Sequence, residues 1–330
     1  MQNLITDVGG LSVGHAEDAS VVTGVTAVLV SRPNVASCAV RGGAPGIRDG
    51  HLLEPDMTIE GIDAVVLSGG SAFGLDAAGG VMSHLCACEI GLAVRDARVP
   101  IVVQAIVFDL LNGGDKSWGP MPPYWALGHR AAELAGEGRF ALGTAGGGYG
   151  ATTADFKGGL GSASAMTSHG LCVGALAVVN AIGSATVGDG PHFWAAPYEV
   201  GSEFGGRGMP QTIPPDALRL RMKGASEPAT TIALVATDAI LTKPQAKRLA
   251  LMADDGLARA LRPSHAPMDG DTVFAVATQK TPLLDDHHAL TELGAVAADC
   301  LARAIARGVY EAAVPPGGYS GPPAYRDVFA

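Results

Sequence analysis

A threonine freed at a new N-terminus can do chemistry that an internal threonine cannot, and Thr230 stands where such a cut is plausible on chemical grounds. Before it, residues 187–229 are rich in glycine, proline and charge and show poor periodicity, so 201–229 reads as a long surface connection. Long irregular segments of this kind concentrate both function and tolerated chain cuts. From Thr230 to Ala236 the chain reads TTIALVA, a buried strand that is apolar after its first two residues. A cut after Ala229 would leave the α-amine of Thr230 beside its own hydroxyl. The amine can then take the hydroxyl proton and activate a weak nucleophile. An α-amine titrates at roughly 7.7–8.0 in model peptides, so a fraction is unprotonated at neutrality. The same residues also fit a plainer reading, a β-branched residue opening a strand.

Other constellations point less far. The nine histidines include His287-His288 but form no HExxH or Cys/His grouping, so no dedicated metal site is expected. Gly70-Ser71-Ala72-Phe73-Gly74 is one residue out of step with a G-x-S-x-G elbow, and Ser162-Ala163-Ser164 has no flanking glycine pair. Three glycine-rich segments resemble phosphate loops: 41–46 (RGGAPG), 68–74 (SGGSAFG) and 143–150 (GTAGGGYG). None carries GxxxxGK[ST], and the segment from Gly69 lacks the G-x-G start of a dinucleotide fingerprint. Glycines that let backbones approach a pocket or a neighbouring layer are the expected role. The five cysteines, Cys38, Cys86, Cys88, Cys172 and Cys300, lack metal-type spacing and read as reduced, mostly buried thiols of a cytoplasmic protein.

The elements that must position Thr230 follow from the apolar pattern. Residues 21–31 and 63–68 read as buried strands, 73–88 and 124–136 as helices, and 171–182 as a further strand. The apolar stretch 100–111 ends at the turn signal Asn112-Gly113-Gly114. Beyond Thr230, a helix is expected at about 244–260 with Thr242 as its cap and Pro244 in its first turn. A strand follows at 272–278, then a long helix at about 287–313 and a turn-rich tail. Strands and helices mix without a regular βαβ alternation, so α+β layering or a sandwich is favoured over a doubly wound sheet.

The 330 residues are 48% hydrophobic and 16% charged, enough apolar surface for one large core. A net charge of −10 without a Lys/Arg-rich run argues against a nucleic-acid partner. No secretory signal and no uninterrupted apolar run of membrane length is evident, so no membrane partner is expected.

Several short motifs recur in a particular order along the chain: 5–15 (ITDVGGLSVGH), 41–46, 68–75 (SGGSAFGL), 105–110 (AIVFDL) and 156–161 (FKGGLG). They continue through 177–180 (AVVN), 230–232 (TTI) with 236–238 (ATD), 268–274 (MDGDTVF) and 323–327 (PAYRD). In this order and number they resemble, essentially end to end, the β-peptidyl aminopeptidase/L-aminopeptidase–D-esterase family. That family also includes nylon-oligomer hydrolases and a pantetheine-cleaving amidohydrolase.

The resemblance implies a four-layer αββα sandwich of α+β class, related to N-terminal-nucleophile hydrolases and ornithine acetyltransferase. It implies one hydrolase domain, 1–330, cut by itself into 1–229 and 230–330. Thr230 falls at the family's Ser/Thr nucleophile, eight residues before Asp238. Asn180 matches an Asn that helps hold the developing oxyanion, a kind of donor worth roughly 10²–10³ in rate. Lys157 matches a Lys that polarises the site or neutralises the intermediate; a solvated cation at a turn is the alternative. Asp269 and Asp271 resemble an acidic pair of the nylon-oligomer branch, and their D-x-D spacing on an extended segment puts both on one face. They would orient the Thr230 amine, with a turn role at Asp269-Gly270 as the alternative. Ala229 stands where the family typically has Asn or Gly before the cut. Neither cofactor nor metal is implied; the substrate is a small peptide or amide, or an ω-amino acid oligomer, and homo-oligomers, often tetramers, are expected. Two other functions remain: an acyltransferase of ornithine acetyltransferase type, and a ligand-binding module built on the glycine-rich segments.

Overall fold

A computed structural model describes residues 1–224, 228–284 and 286–329. The first half contains β1 (Leu11–Asp18), β2 (Thr23–Val30), β3 (Val35–Val40), β4 (Ile47–Arg48) and β5 (Ala64–Ser68). There follow α1 (Ala77–Ala87), a hairpin of β6 (Leu92–Val94) and β7 (Ala97–Val99), β8 (Val102–Ile106), and α2 (Tyr124–Glu133). The second half holds β9 (Gly159–Met166), β10 (Cys172–Asn180), β11 (Thr230–Ala239), α3 (Lys243–Ala253) and α4 (Asp255–Ala260). It closes with β12 (Thr272–Thr281), α5 (Asp286–Tyr310) and α6 (Tyr325–Phe329).

Two five-stranded sheets, ordered β1-β2-β5-β8-β4 and β3-β12-β11-β10-β9, stack face to face. Side chains alternate between sheet faces, and here both faces are covered. In β11, Ile232, Leu234 and Ala236 point between the sheets, toward a core shared with Val28, Leu67 and Val103. Ala233 and Val235 point the other way, into a core with Leu249, Leu257, Leu301 and Ile305 of α3, α4 and α5. On the far side of the first sheet, Val25 and Val66 pack on Val81 and Leu85 of α1 and Ala131 of α2. The layering is therefore αββα, in a mixed α+β fold. Double coverage is also why 230–236 reads as an unbroken apolar run rather than an alternating one.

Besides the short β4, β6 and β7, three longer strands are not signalled by their sequence. β9 (GLGSASAM) has no β-branched residue, yet it pairs antiparallel with β10 along its length. Its small residues admit α5: a Cβ on Gly161 would lie 1.8 Å from the Ala304 carbonyl oxygen. β1 carries His15 and Gly14, and a Cβ on Gly14 would meet α2 2.0 Å from the Ala131 oxygen. β3 is short and pairs only at the sheet edge with β12. The helix expected at 244–260 is divided at Asp254 into α3 and α4. Its start matches the expectation: Thr242 accepts from the Gln245 amide in a capping box, with Pro244 in the first turn. Among the described residues of 201–229, the only regular element is a 3-10 turn at Pro215–Leu218.

Candidate active site

The end of β10 and the starts of β11 and β12 meet at one edge of the second sheet. β10 runs antiparallel to β11 with Asn180 directly opposite Thr230, a pairing that holds two Cβ atoms about 5 Å apart on one face. β12 runs parallel to β11, and just before both strands begin, Ala229 bridges Asp269. The strand register therefore gathers Asn180, Thr230 and the Asp269–Asp271 segment, which lie far apart in the chain.

The peptide bond between Ala229 and Thr230 sits in a specific frame. The Thr230 hydroxyl donates to the Ala229 carbonyl oxygen. The Gly270 amide donates to the same oxygen at 3.0 Å, and the Ala229 amide donates to Met268 O at 3.4 Å. The Thr231 amide donates to Asp271 Oδ1 at 2.7 Å. A carbonyl whose oxygen accepts a fixed N–H and whose neighbour is a hydroxyl is polarised for attack by that hydroxyl. Gly270 cannot be another residue without disturbance, because a Cβ there would lie 2.8 Å from Thr230 Oγ1 and 3.0 Å from Ala44 O. Thr230 is 4% exposed and Ala229 1%.

The two aspartates have different partners. Asp271 accepts from Thr231 through Oδ1, and from the His265 amide (3.0 Å) and His265 Nδ1 (2.9 Å) through Oδ2. Asp269 accepts from the Ala266 amide at 2.8 Å through Oδ2, which is the turn role; its buried Oδ1 makes no hydrogen bond of good geometry among the described residues, the Ile182 amide being close enough only to favour the charged carboxylate. Burial, then the negative charge of Asp271, raises the Asp269 carboxyl from 3.8 to about 6. Behind this pair lies a chain of charge that the sequence did not reveal. His265 Nε2 lies 3.2 Å from Asp254 Oδ2, and Arg41 Nε lies 3.4 Å from the same oxygen. Burial alone would lower the His265 imidazole, but hydrogen bonds to Asp254 and Asp271 outweigh it and raise the group to about 10.

The 41–46 segment has a concrete role here. The Arg41 and Gly42 amides donate to Asp271 O and the Ala44 amide to Asp269 O. A Cβ on Gly42 would lie 2.3 Å from Asp271 N, so this glycine exists for close backbone approach. Gly69 and Gly74 are likewise hemmed in, by Asp109 and by their own turn. Among the described residues no group of three or more His, Cys, Asp or Glu is placed to hold a metal ion.

Asn180 is engaged on both ends of its amide. Oδ1 accepts from the Thr152 amide (3.0 Å) and Lys223 Nζ (3.1 Å), and Nδ2 donates to Phe108 O at 3.0 Å. One Nδ2 proton remains beyond that bond. Phe108, Thr152 and Lys223 also line a cavity of about 230 Å³ whose wall includes Pro228, Asn112 and Ser320. Lys157 is fully buried rather than solvated. Its Nζ donates to three carbonyls, Gly148, Ala151 and Gly158, at 2.8–2.9 Å. Burial lowers it to about 7, against the opposing pull of Asp109. No hydrogen bond joins Lys157 to Thr230 among the described contacts, so its charge reaches the site only at a distance.

The family model of peptidase family S58 matches residues 3–320. An uncharacterized aminopeptidase of Mycobacterium tuberculosis (strain ATCC 25618 / H37Rv) is 41% identical over 348 residues, covering 99% of this chain and 98% of its own. A 6-aminohexanoate-oligomer endohydrolase of Agromyces sp. (strain KY5R) is 26% identical over 288 residues, covering 84% and 75%. In fold, the chain is similar to an L-aminopeptidase D-Ala-esterase/amidase of Ochrobactrum anthropi, described as a variant of the Ntn hydrolase fold. That match has a TM-score of 0.66 at 22% identity, over 94% of this chain and 86% of the other. Matched over almost its whole length by the family model and by a relative at 41% identity, the chain belongs to peptidase family S58 and is a hydrolase of amide bonds.

Proposed function

We propose that the chain cuts itself between Ala229 and Thr230 and then hydrolyses amides through an acyl-enzyme on Thr230. The observation that carries this reading is the frame around the Ala229 carbonyl, with the Thr230 hydroxyl on one side and the Gly270 N–H on its oxygen. In the cut, Thr230 Oγ1 adds to the Ala229 carbonyl carbon and its proton passes to a base. The C–N bond then breaks, and the Thr230 nitrogen takes a proton to become the free amine. Water hydrolyses the resulting Ala229 ester, giving an Ala229 carboxylate and restoring the Thr230 hydroxyl. Asp269, with one buried oxygen unpartnered and its carboxyl raised to about 6, is the proposed proton carrier.

In turnover the amine of Thr230 takes the hydroxyl proton as Oγ1 adds to the substrate carbonyl carbon; that proton passes to the leaving amine as the C–N bond breaks, and water then hydrolyses the acyl ester and restores the hydroxyl. Asn180, opposite Thr230, offers its remaining Nδ2 proton to the oxyanion. The substrate class is an N-terminal aminoacyl peptide or amide, or an ω-amino acid oligomer, in keeping with the aminopeptidase and oligomer endohydrolase among its relatives. Exposed Phe73, Leu111, Met121 and Trp125 support a homo-oligomer, and five free cysteines support a cytoplasmic setting. No helix among the described residues is long and apolar enough to cross a membrane.

Intact-mass measurement of the purified protein tests the reading. Two chains, the smaller beginning at Thr230, are expected, and Thr230→Ala should give one inactive chain. A lasting single chain that is active, with Thr230→Ala equally active, refutes it. Hydroxylamine trapping against amine acceptors separates hydrolysis from acyl transfer.

A further inference from the structure

His265 belongs to no motif and touches neither Thr230 nor the cavity, yet its setting is unusual in three independent ways. It has a left-handed backbone at φ +58, a conformation that a non-glycine residue keeps only where the surroundings enforce it. Both its ring nitrogens face carboxylates: Nδ1 faces Asp271 Oδ2 at 2.9 Å and Nε2 faces Asp254 Oδ2 at 3.2 Å. A carboxylate only accepts, so both nitrogens must carry protons and the ring is a cation. Both carboxylates are buried, at 1% and 2% exposure, where an unpaired charge is costly.

Resting on the reading of Thr230 as nucleophile, we infer that His265 is a positioning residue. It is an imidazolium clamped between Asp254 and Asp271 that fixes the Asp271 carboxylate against the Thr231 amide and leaves Asp269 to exchange the proton. The clamp extends from Arg41 through Asp254, His265 and Asp271 to the Thr231 N–H, so β3's end, the α3–α4 junction and the start of β11 are held by one row of charges. Both Asp271 oxygens accept hydrogen bonds, Oδ1 from the Thr231 amide and Oδ2 from His265. Asp269 and Asp254 each keep a buried oxygen without a partner, and of the two it is Asp269 that bridges Ala229 beside the bond to be cut. The positive ring also draws the Asp269 carboxyl downward against burial and the Asp271 charge, keeping it within the working range of pH. The charged groups around the ring are Arg41, Asp254, Asp269 and Asp271; each enters this balance.

The left-handed backbone suggests the variant. His265→Gly suits φ +58, removes the cation, and leaves a space that free imidazole can fill. With an aminoacyl p-nitroanilide as substrate, kcat should fall between about 10- and 100-fold, as for a slightly misplaced nucleophile. KM should stay within about threefold, because no group touching the substrate is lost. The acid limb of the cutting rate against pH, followed by time-resolved intact mass, should move up by about one pH unit as Asp269 loses its positive neighbour, and added imidazole should bring it back. An acid limb that stays where the unaltered enzyme has it overturns the inference, whatever happens to melting temperature or kcat. Should His265→Gly not fold, His265→Gln is read by the same criterion. Thr230→Ala, assayed alongside, separates the two failures: activity in that variant refutes the nucleophile itself and says nothing of His265.

Discussion

Replacing Asp269 by Asn should stabilise the uncut protein at pH 8 relative to its parent and lose that advantage toward about pH 4.5. Both chains would carry Thr230→Ala, so that neither is cut and only the carboxyl differs. The folded protein raises Asp269 from 3.8 to about 6, so it binds this proton more tightly than the unfolded chain does. Stability from the protonated form is therefore fully present below the unfolded value and is lost as pH rises through about 6. At about 1.36 kcal/mol per pH unit, holding Asp269 ionised at pH 8 costs the fold about 3 kcal/mol. Asn carries no charge and can keep the bond from Ala266 through its oxygen. Its NH₂ falls where Asp269 Oδ1 has no partner, and an unpaired buried donor costs about 1–3 kcal/mol at any pH. That constant cost cancels when the two variants are compared across pH. The gap between their urea-unfolding free energies should widen in favour of Asn by about 2 kcal/mol from about pH 4.5 to pH 8. A gap that does not change with pH would mean that Asp269 is not the raised carboxyl, and its assignment as proton carrier would fall.

Other substitutions separate maturation, turnover and structure. Asn180→Ala should lower kcat by roughly 10²–10³ while intact mass still shows the cut, because the Ala229 oxygen is held by Gly270 rather than Asn180. Gly270→Ala should slow the cut at least about tenfold, since its Cβ would lie 2.8 Å from Thr230 Oγ1; a normal cutting rate by time-resolved mass measurement would argue against this frame. Lys157→Met leaves three buried carbonyls without their donor and should cost about 3 kcal/mol in denaturant melts. The kcat of the folded fraction should stay near that of the unaltered enzyme, whereas a 100-fold loss would put the Lys157 charge in the reaction.

What could be read from the sequence depended on whether a residue's role is expressed locally. β11 and β12 could be read because both faces of each are covered, which leaves an apolar run bounded by turns. β9 could not, because its small side chains answer to α5 pressing on it from 140 residues away. Thr230 is visible only as a junction; its reading as nucleophile comes from the resemblance, and the strand register is what sets Asn180 opposite it. Asp269 had two readings, a site carboxyl and a turn residue; Oδ2 takes the turn role, and Oδ1 is left buried without a partner. His265 and Asp254 gave no signal and Arg41 only as the first residue of the 41–46 segment, since three charged residues spread over more than 200 positions form a row only after α3, β3 and β12 have packed. Lys157 was read for its charge, whereas burial and three carbonyls decide its surroundings.

On the proposed reading, the cut does more than release an amine. Thr230 is almost fully buried before it, and Lys223, Gly224 and Pro228, just upstream of the bond, form part of the cavity wall beside Asn180. After cleavage that segment is a chain end, held by the Lys223 bonds to Asn180 and by the Lys223 amide donating to Ile182 O. As a chain end it is able to shift where a continuous chain is not. The rest of the molecule is not, because residues on both sides of the bond build the same cores. β11 lies between β10 and β12, and the buried Arg303 of the small piece binds Glu203 and Asn3 of the large one. Removing one side of such a buried ion pair typically costs about 3–5 kcal/mol, so the halves remain joined while the segment at the cavity can shift. Formation of the nucleophile and access to it would then be one event, and the uncut chain would be unable to act on other amides because its own Ala229 occupies the place of their acyl group.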